Sequence, residues 1–412
     1  MEAILKDAII IGAGPAGLAA ALKLKEKGVE DILILEREKK PGGILRQCIH
    51  DGFGLVRFNE ALSGPEYANR FVELVEKANI EIETEATVIN LTNNKEVVAA
   101  TRNGLKKYKA KVVILSMGCR ERTRGAISIP GTRPAGVFTA GVAQSYMNLK
   151  NIMVGKKVVI LGSGDIGLIM ARRLTLEGAN VLAVIEKLPY PSGLPRNIQQ
   201  CLNDYDIPLY LSHTVTNIKG KERLKSVTVS KVDEKGQIIK GSEKVYECDT
   251  LILSVGLIPE NELSLKAGVE LDERTKGPVV DENLQTNVEG IYAAGNVLHV
   301  HDLVDFVSNE GEKLAESASK YIRDEKEKES KISIKGDITI NNVVPQKISG
   351  EKDVEISLRV SRPSRDGAIE IKQGENVIKV KKLKKLNPAE MIHITLKKEE
   401  IIGKEDIKVV AV

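Results

Sequence analysis

Two stretches of the chain place apolar and polar residues in the same order. DAIIIGAGPAGLAAALKLKEKGVEDILILE (7–36) is a short apolar run, a glycine-rich turn, a segment of helical period, a glycine and a second apolar run ending in Glu36. KKVVILGSGDIGLIMARRLTLEGANVLAVIE (156–186) repeats that order and ends in Glu186. Each pattern predicts a strand, a tight turn, a helix and a second strand. Gly12, Gly14, Gly17 and Glu36 recur as Gly162, Gly164, Gly167 and Glu186, all 150 residues later. KVVILSMG (111–118) is echoed by TLILSVG (250–256), while GIYAAGN (290–296) has no counterpart. Beyond the charged stretch YIRDEKEKES (321–330), VEISLRV (354–360) alternates with period two, and similar short runs lie at 338–343, 377–380 and 392–396.

The expected fold class is therefore α/β: two nested Rossmann-like dinucleotide-binding domains plus a small, mostly β C-terminal domain. The expected domains are residues 1–120 with 285–325, an inserted 121–284, and 331–412. In a GxGxxG turn the first glycine allows a sharp exit from the strand. The second lets backbone approach a pyrophosphate, and the third lets the helix pack on the sheet. The helix N-terminus then offers open N–H groups and a positive dipole end to the phosphates, and the acid closing the second strand takes ribose hydroxyls. The first turn is expected to hold FAD, because Gly42–Gly43 and the unpaired GIYAAGN strand belong to its domain. The second is expected to hold NAD(H), since Glu186 would repel a 2′-phosphate. Lys187 and Arg196 keep NADP(H) open.

Composition adds exclusions. The 412 residues are 42% hydrophobic with a formal net charge of +4, so nothing points to nucleic acid or an anionic membrane. KVKKLKKL reads as the solvated face of a strand. No apolar run is long enough for a bilayer-spanning helix. An apolar pattern begins by Ala8, leaving no room before it for a secretion signal, so a cytoplasmic protein without membrane insertion is expected. The four cysteines, Cys48, Cys119, Cys201 and Cys248, form no CxxC pair and are expected as reduced thiols.

GAGPAG, Glu36, SMG, GSGDIG, SVGLIPEN and AAGN together resemble the two-dinucleotide-binding flavoproteins of the pyridine nucleotide–disulfide oxidoreductase superfamily, over residues 6–325. GGILRQCIHDGFG, GCRERTRGA, GDIGLIMARRLTLEG and GNVLHVHDLVD resemble bacterial NAD(P)/FAD-dependent oxidoreductases associated with anaerobic glycerol-3-phosphate dehydrogenase. The resemblance implies an FAD-dependent NAD(P)H oxidoreductase, with a companion dehydrogenase flavoprotein docking on the C-terminal domain or near Arg120–Arg124. On the flavin side it implies Gly12, Gly14, Pro15, Ala16, Gly17, Glu36, Arg37, Gly42, Gly43 and Val88, then Ser116, Met117, Gly118, Gly295 and Asn296. Asn296 stands where the family has an Asp toward the ribityl chain. On the nicotinamide side it implies Gly162, Ser163, Gly164, Asp165, Ile166, Gly167, Glu186 and Gly256.

The disulfide reductases of that superfamily need two cysteines beside the flavin. Here Leu45 stands at one class's cysteine position, and FTAGVAQSYM lacks the other's CxxC, so a two-cysteine mechanism is not expected. Cys48 could act alone on a peroxide or disulfide, with Arg46 or His50 lowering its pKa, or could be a buried packing residue. His50, His299 and His301 are expected to gather near the flavin, with His50 or His301 handling a proton. Two histidines and Asp302 are too few for a metal, and none is expected. A non-catalytic nucleotide-binding scaffold subunit of a multicomponent dehydrogenase is the remaining alternative.

Overall fold

The computed structural model describes residues 2–325 and 328–412. It divides into two compact units, residues 1–119 with 259–412, and residues 120–258.

In the first unit the predicted βαβ motif is present as strand Ile4–Ile11, helix Pro15–Glu26 and strand Ile32–Glu36. The two strands pair in parallel, Ile9 beside Leu33 and Ile11 beside Leu35. Ile32–Glu36 is buried throughout and Ile4–Ile11 along its second half, Ala8–Ile11, as strands covered on two faces must be. Strand Gly104–Leu115 lies on the other side of Ile4–Ile11, again in parallel. Ile291–Ala293 joins its far end, so AAGN emerges beside SMG at one end of the sheet. Helix Val304–Ile322 leaves from there and packs against Pro15–Glu26.

The second unit repeats the design. Strand Lys157–Leu161, helix Asp165–Leu176 and strand Asn180–Ile185 form its βαβ motif. Its five-stranded parallel sheet runs Val137–Thr139, Thr250–Leu253, Lys157–Leu161, Asn180–Ile185, Leu209–Tyr210. A three-stranded antiparallel sheet, from His213–Gly220 to Lys244–Glu247, covers one face.

The expected boundary at 284 is corrected. The second unit ends at Ile258, and residues 259–284 belong to the first. Side chains tie that segment down: the Asn261 amide donates to the carbonyls of Val297 and Lys276, each at 3.0 Å. Arg274 donates to the Asp337 carbonyl at 2.8 Å.

Residues 331–412 form the expected β domain with their own apolar core, built from five-stranded and three-stranded sheets. They are not a free appendage, because they belong to the first compact unit. Gln346 exchanges hydrogen bonds with Val280, its N–H to the Val280 carbonyl at 3.1 Å and its amide oxygen from the Val280 N–H at 3.0 Å. Ser349 N–H donates to Glu282 at 2.8 Å, and Met391 N–H to Asp302 at 3.1 Å. KVKKLKKL falls in strand Asn376–Leu386, at the edge of the five-stranded sheet. Alternating lysines on such an edge discourage pairing with another chain.

Candidate functional site

Both glycine turns have the backbone their chemistry requires. Gly12 sits at φ +105° and Gly162 at φ +100°, a region that L side chains avoid. A Cβ at Gly12 would lie 2.6 Å from the Ser116 carbonyl oxygen, and one at Gly162 would lie 1.9 Å from that of Ser254. The third glycines are equally confined: a Cβ on Gly17 would meet the Gly12 carbonyl oxygen at 2.1 Å, and one on Gly167 would meet that of Gly162 at 2.7 Å. Gly14 and Gly164 are the N-caps of the following helices and supply no side-chain cap, although in the second helix Gly167 N–H donates to Ser254 Oγ at 3.1 Å. The helix Gly64–Lys77, by contrast, carries a full Ser63–Glu66 capping box. Uncapped N-termini leave N–H groups for an anionic ligand, and the cradles fit a dinucleotide pyrophosphate.

The two terminal acids also repeat their hydrogen bonds. Glu36 accepts from Ala13 N–H and Glu38 N–H, both at 2.8 Å. Glu186 accepts from Ser163 N–H at 3.0 Å and Leu188 N–H at 2.9 Å. Those donors lie at the same offset as the glycines. Glu186 additionally takes the hydroxyls of Ser163 and Ser192. A carboxylate has about four acceptor directions. Glu36 therefore keeps capacity for ribose hydroxyls, whereas Glu186 has three of its donors on Oε2 and keeps capacity only at Oε1, which accepts from Leu188 N–H alone.

The other expected contacts divide in kind. Gly42 (φ +113°) donates to the Ala13 carbonyl at 2.8 Å, and a Cβ on Gly43 would lie 3.0 Å from Gly14 Cα. The double glycine is thus closed against the first turn. Ser116 Oγ donates to the carbonyls of Ile11 and Gly12, locking the two strand ends together. Pro15 opens the first helix, Ala16 is buried, and Met117 and Val88 pack on that core. Arg37 is exposed. Gly118 and Gly256 take positive φ. Asp165 accepts from Leu194 N–H at 2.8 Å and from the Asn197 amide, drawing residues 192–197 across the second turn. Ile166 packs on the second unit's core. In RERTR, Arg124 is engaged by the carbonyls of Ile129, Gly131 and Thr132, which reduces the free charge of that run.

Beyond AAGN the structure assembles a group that sequence reasoning missed. His299 Nε2 lies 2.8 Å from one oxygen of Glu310, and His301 Nε2 lies 3.2 Å from the other. The second oxygen also accepts from Gly295 N–H at 2.6 Å. The imidazoles meet edge to face with centroids 4.3 Å apart, and their side chains are 0% and 3% exposed. Burial works against the Glu310 anion, but the charges and hydrogen bonds of His301 and His299 outweigh it and hold its carboxyl below the usual range. Burial lowers His299, with Glu310 opposing. Both directions describe an anionic Glu310 and a neutral His299.

Two sequence expectations change here. The third group beside the histidines is Glu310, from helix Val304–Ile322, and not Asp302. The three residues bring possible ligand atoms within 4.8 Å of one another. Metal-bound imidazoles nearly always donate their other nitrogen to an acceptor. His299 Nδ1 and His301 Nδ1 are both buried without a partner, so the donor set does not fit a metal centre. His50 does not supply a third imidazole to this cluster. It turns into its own loop, with Nδ1 3.1 Å from the Asp51 carbonyl and its ring 4.9 Å from that of Phe53. Asn296 is held from both sides: its amide oxygen accepts His301 N–H at 3.0 Å and its NH2 points at Cys119 Sγ, 3.8 Å away.

Cys48 lies beneath helix Gly64–Lys77, its Sγ 3.4 Å from the Ile44 carbonyl. A Cβ on Gly64 would meet the Cys48 carbonyl oxygen at 2.6 Å. Burial pushes its thiol up to about 12, so the nucleophilic thiolate is scarce at neutral pH. Cys48→Ser is expected to leave the rate of NADH-driven flavin bleaching within about twofold, and iodoacetamide at pH 7.5 should modify Cys48 only after unfolding. Loss of NADH consumption with a peroxide or disulfide as acceptor in that variant would restore the thiol mechanism.

Residues 6–320 match the family model described as pyridine nucleotide-disulphide oxidoreductase. The chain belongs to this family. Membership brings FAD and a nicotinamide nucleotide with it. Among its relatives, the ferredoxin–NADP reductase of Ignicoccus hospitalis is 27% identical over 77% of this chain and 99% of that protein. An opine oxidase subunit from Rhizobium meliloti is 26% identical over 70% of this chain, which spans only 58% of that protein's length. Among solved structures of the oxidoreductase fold, T. acidophilum thioredoxin reductase superposes with a TM-score of 0.64 at 26% identity, covering 76% of this chain and 98% of that one. Among the described residues, no helix is long and apolar enough to cross a membrane.

Proposed function

We propose that the chain is an FAD-dependent oxidoreductase that exchanges hydride with NAD(H) and passes electrons to or from a protein or small-molecule partner, without a CxxC. The observation that carries this is the pair of helices whose N-caps are glycines, each behind a turn whose first and third glycines leave no room for a Cβ. FAD, when bound, supplies the hydride and electron chemistry.

The chain's own residues bind and position. Gly12–Gly17 and Glu36 hold the flavin nucleotide, and Gly162–Gly167 hold the nicotinamide nucleotide. Ser163 and Ser192, oriented by Glu186, present hydroxyls where a ribose would lie. Negative charge at Glu186 disfavours a 2′-phosphate. Lys187 lies along the Gly236 turn, 3.2 Å from a Cβ there. His301, clamped to Glu310, is the group placed to hold a proton beside the AAGN turn.

The partner is read from resemblance: a glycerol-3-phosphate dehydrogenase flavoprotein, which a cytoplasmic electron-transfer protein would serve. That the opine oxidase relative is named as one subunit of its enzyme supports an assembly of this kind.

Anaerobic titration of the purified protein with NADH, and separately with NADPH, tests the reading by flavin absorbance. NADH should bleach the flavin stoichiometrically at concentrations at least tenfold below NADPH. Flavin-containing protein that neither nucleotide bleaches would sink the proposal and favour a scaffold role.

A further inference from the structure

Between helix Val304–Ile322 and the C-terminal β domain lies a cavity of about 190 Å³. Strands Val354–Val360 and Ile392–Leu396 supply one wall through their polar faces, with Ser357 directly opposite His393. The helix supplies Phe306, Asn309, Glu310 and Lys313, and His301 precedes it.

The groups on this wall are unevenly engaged. The acids are largely taken: Glu310 by His299, His301 and Gly295, Glu282 by the N–H and hydroxyl of Ser349, and Glu355 by His393 at 3.3 Å. The donors are open. Among the described residues Lys313 makes no hydrogen bond and no ion pair. Burial holds its ammonium below the usual lysine value, with Glu355 and Glu310 opposing from beyond contact distance. Asn309, an exposed residue of the wall, gives its amide oxygen to Arg57 at 3.3 Å and keeps its NH2. His301 Nδ1 and His393 Nε2 are both buried without partners. Glu310 and Glu355 face the opposite ring nitrogens, so these two nitrogens accept on the neutral rings and donate only on the imidazolium form. The remaining wall is apolar: Leu284, Phe306, Val344 and Pro345.

A cation withdrawn from water without a partner costs stability, and chains keep such groups where a ligand completes them. A cavity of about 150 Å³ accommodates benzene, so this one admits about six to ten non-hydrogen atoms. The open Lys313 ammonium calls for an acceptor-rich anionic head, to which either imidazole adds an N–H donor only as imidazolium. The apolar wall calls for a hydrocarbon part, which an inorganic anion lacks.

We propose that this cavity binds a small organic carboxylate, its head taken by Lys313 and Asn309 between His301 and His393, and its carbon skeleton against Phe306 and Leu284. The site is separate from both dinucleotide turns, and its occupancy does not depend on the flavin reading.

Calorimetric titration of the full chain at pH 7 with lactate, succinate and benzoate, and with inorganic phosphate, tests it. At least one carboxylate should bind with 1:1 stoichiometry, and phosphate should not displace it. Lys313→Met should weaken that binding at least tenfold, whereas Lys320→Met, on the exposed side of the same helix, should not change it. Without ligand, Lys313→Met should melt no lower than wild type, since it removes a half-buried charge that has no partner. Should Lys313→Met fail to fold, His393→Phe is read in the same way. Absence of binding by all three carboxylates, binding of phosphate alone, or unchanged affinity in the folded variant overturns the assignment.

Discussion

Gly12→Ala is expected to yield colourless protein, and Gly162→Ala to yield yellow protein that NADH no longer bleaches. Both follow from one added methyl group. At φ +105° and +100° an alanine carries backbone strain of about 1–3 kcal/mol. Its Cβ would also lie 2.6 Å from the Ser116 oxygen in one turn and 1.9 Å from the Ser254 oxygen in the other. Neither obstacle is a flexible side chain. Both are carbonyls following core strands, Gly104–Leu115 and Thr250–Leu253, whose final residues are fully buried. Relief must come from the turn, which is the surface proposed to meet the pyrophosphate. A loss of 100-fold or more in nucleotide affinity, about 2.7 kcal/mol, is the expected scale. The two variants assign the sites as well as test them. Flavin absorbance after gel filtration reports the first turn. Anaerobic NADH bleaching, with dithionite as the control reductant, reports the second. If Gly162→Ala protein bleached at wild-type NADH concentrations, the second turn would not be the nicotinamide site.

The repeat was legible in the sequence to unusual depth. Glycines, strands and acids all recur at one offset, and so do the hydrogen bonds from Ala13 and Glu38 to Glu36 and from Ser163 and Leu188 to Glu186. A βαβ unit is local, so its pattern lies within some thirty residues of sequence. The C-terminal strands Val354–Val360 and Ile392–Leu396 were legible for the same reason, since their inward residues alternate.

Contacts between distant segments were hidden. Period two identifies Val354, Ile356, Leu358 and Val360 as core-facing, but it does not say what lies opposite Glu355, Ser357 and Arg359. Those residues look solvated and in fact face helix Val304–Ile322 and the loop before it, where Arg359 donates to the Val300 carbonyl at 3.2 Å. Glu310 was hidden likewise. Nothing in FVSNEGEKLA distinguishes it from Glu312 until the helix turns it toward the AAGN loop. The boundary at Ile258 was missed because side-chain-to-carbonyl bonds from Asn261 and Arg274 leave no periodic trace.

Glu310→Ala is expected to destabilise the first unit by about 1–3 kcal/mol for each buried donor it leaves unsatisfied. Removing the carboxylate leaves His299 and His301 without partners at Nε2 as well as Nδ1, and frees the Gly295 N–H that positions the AAGN turn. Glu310→Gln keeps the volume and one acceptor and should cost less. The acid sensitivity of the wild type follows from the same cluster. Glu310's folded carboxyl lies below its unfolded value near about 4.3, so its contribution is complete above that pH and is lost as pH falls through the folded value. His299 is also lowered, so the unfolded chain takes its proton first as pH drops below about 6.5. Both groups make stability fall with falling pH, His299 by at most about 1.4 kcal/mol per pH unit. Urea midpoints at pH 7.5 and 5.5 check this: His299→Gln should flatten the wild-type difference between the two, and Glu310→Ala should lower the midpoint already at pH 7.5. A Glu310→Ala midpoint equal to wild type at pH 7.5 would show that the carboxylate is not what holds the two imidazoles.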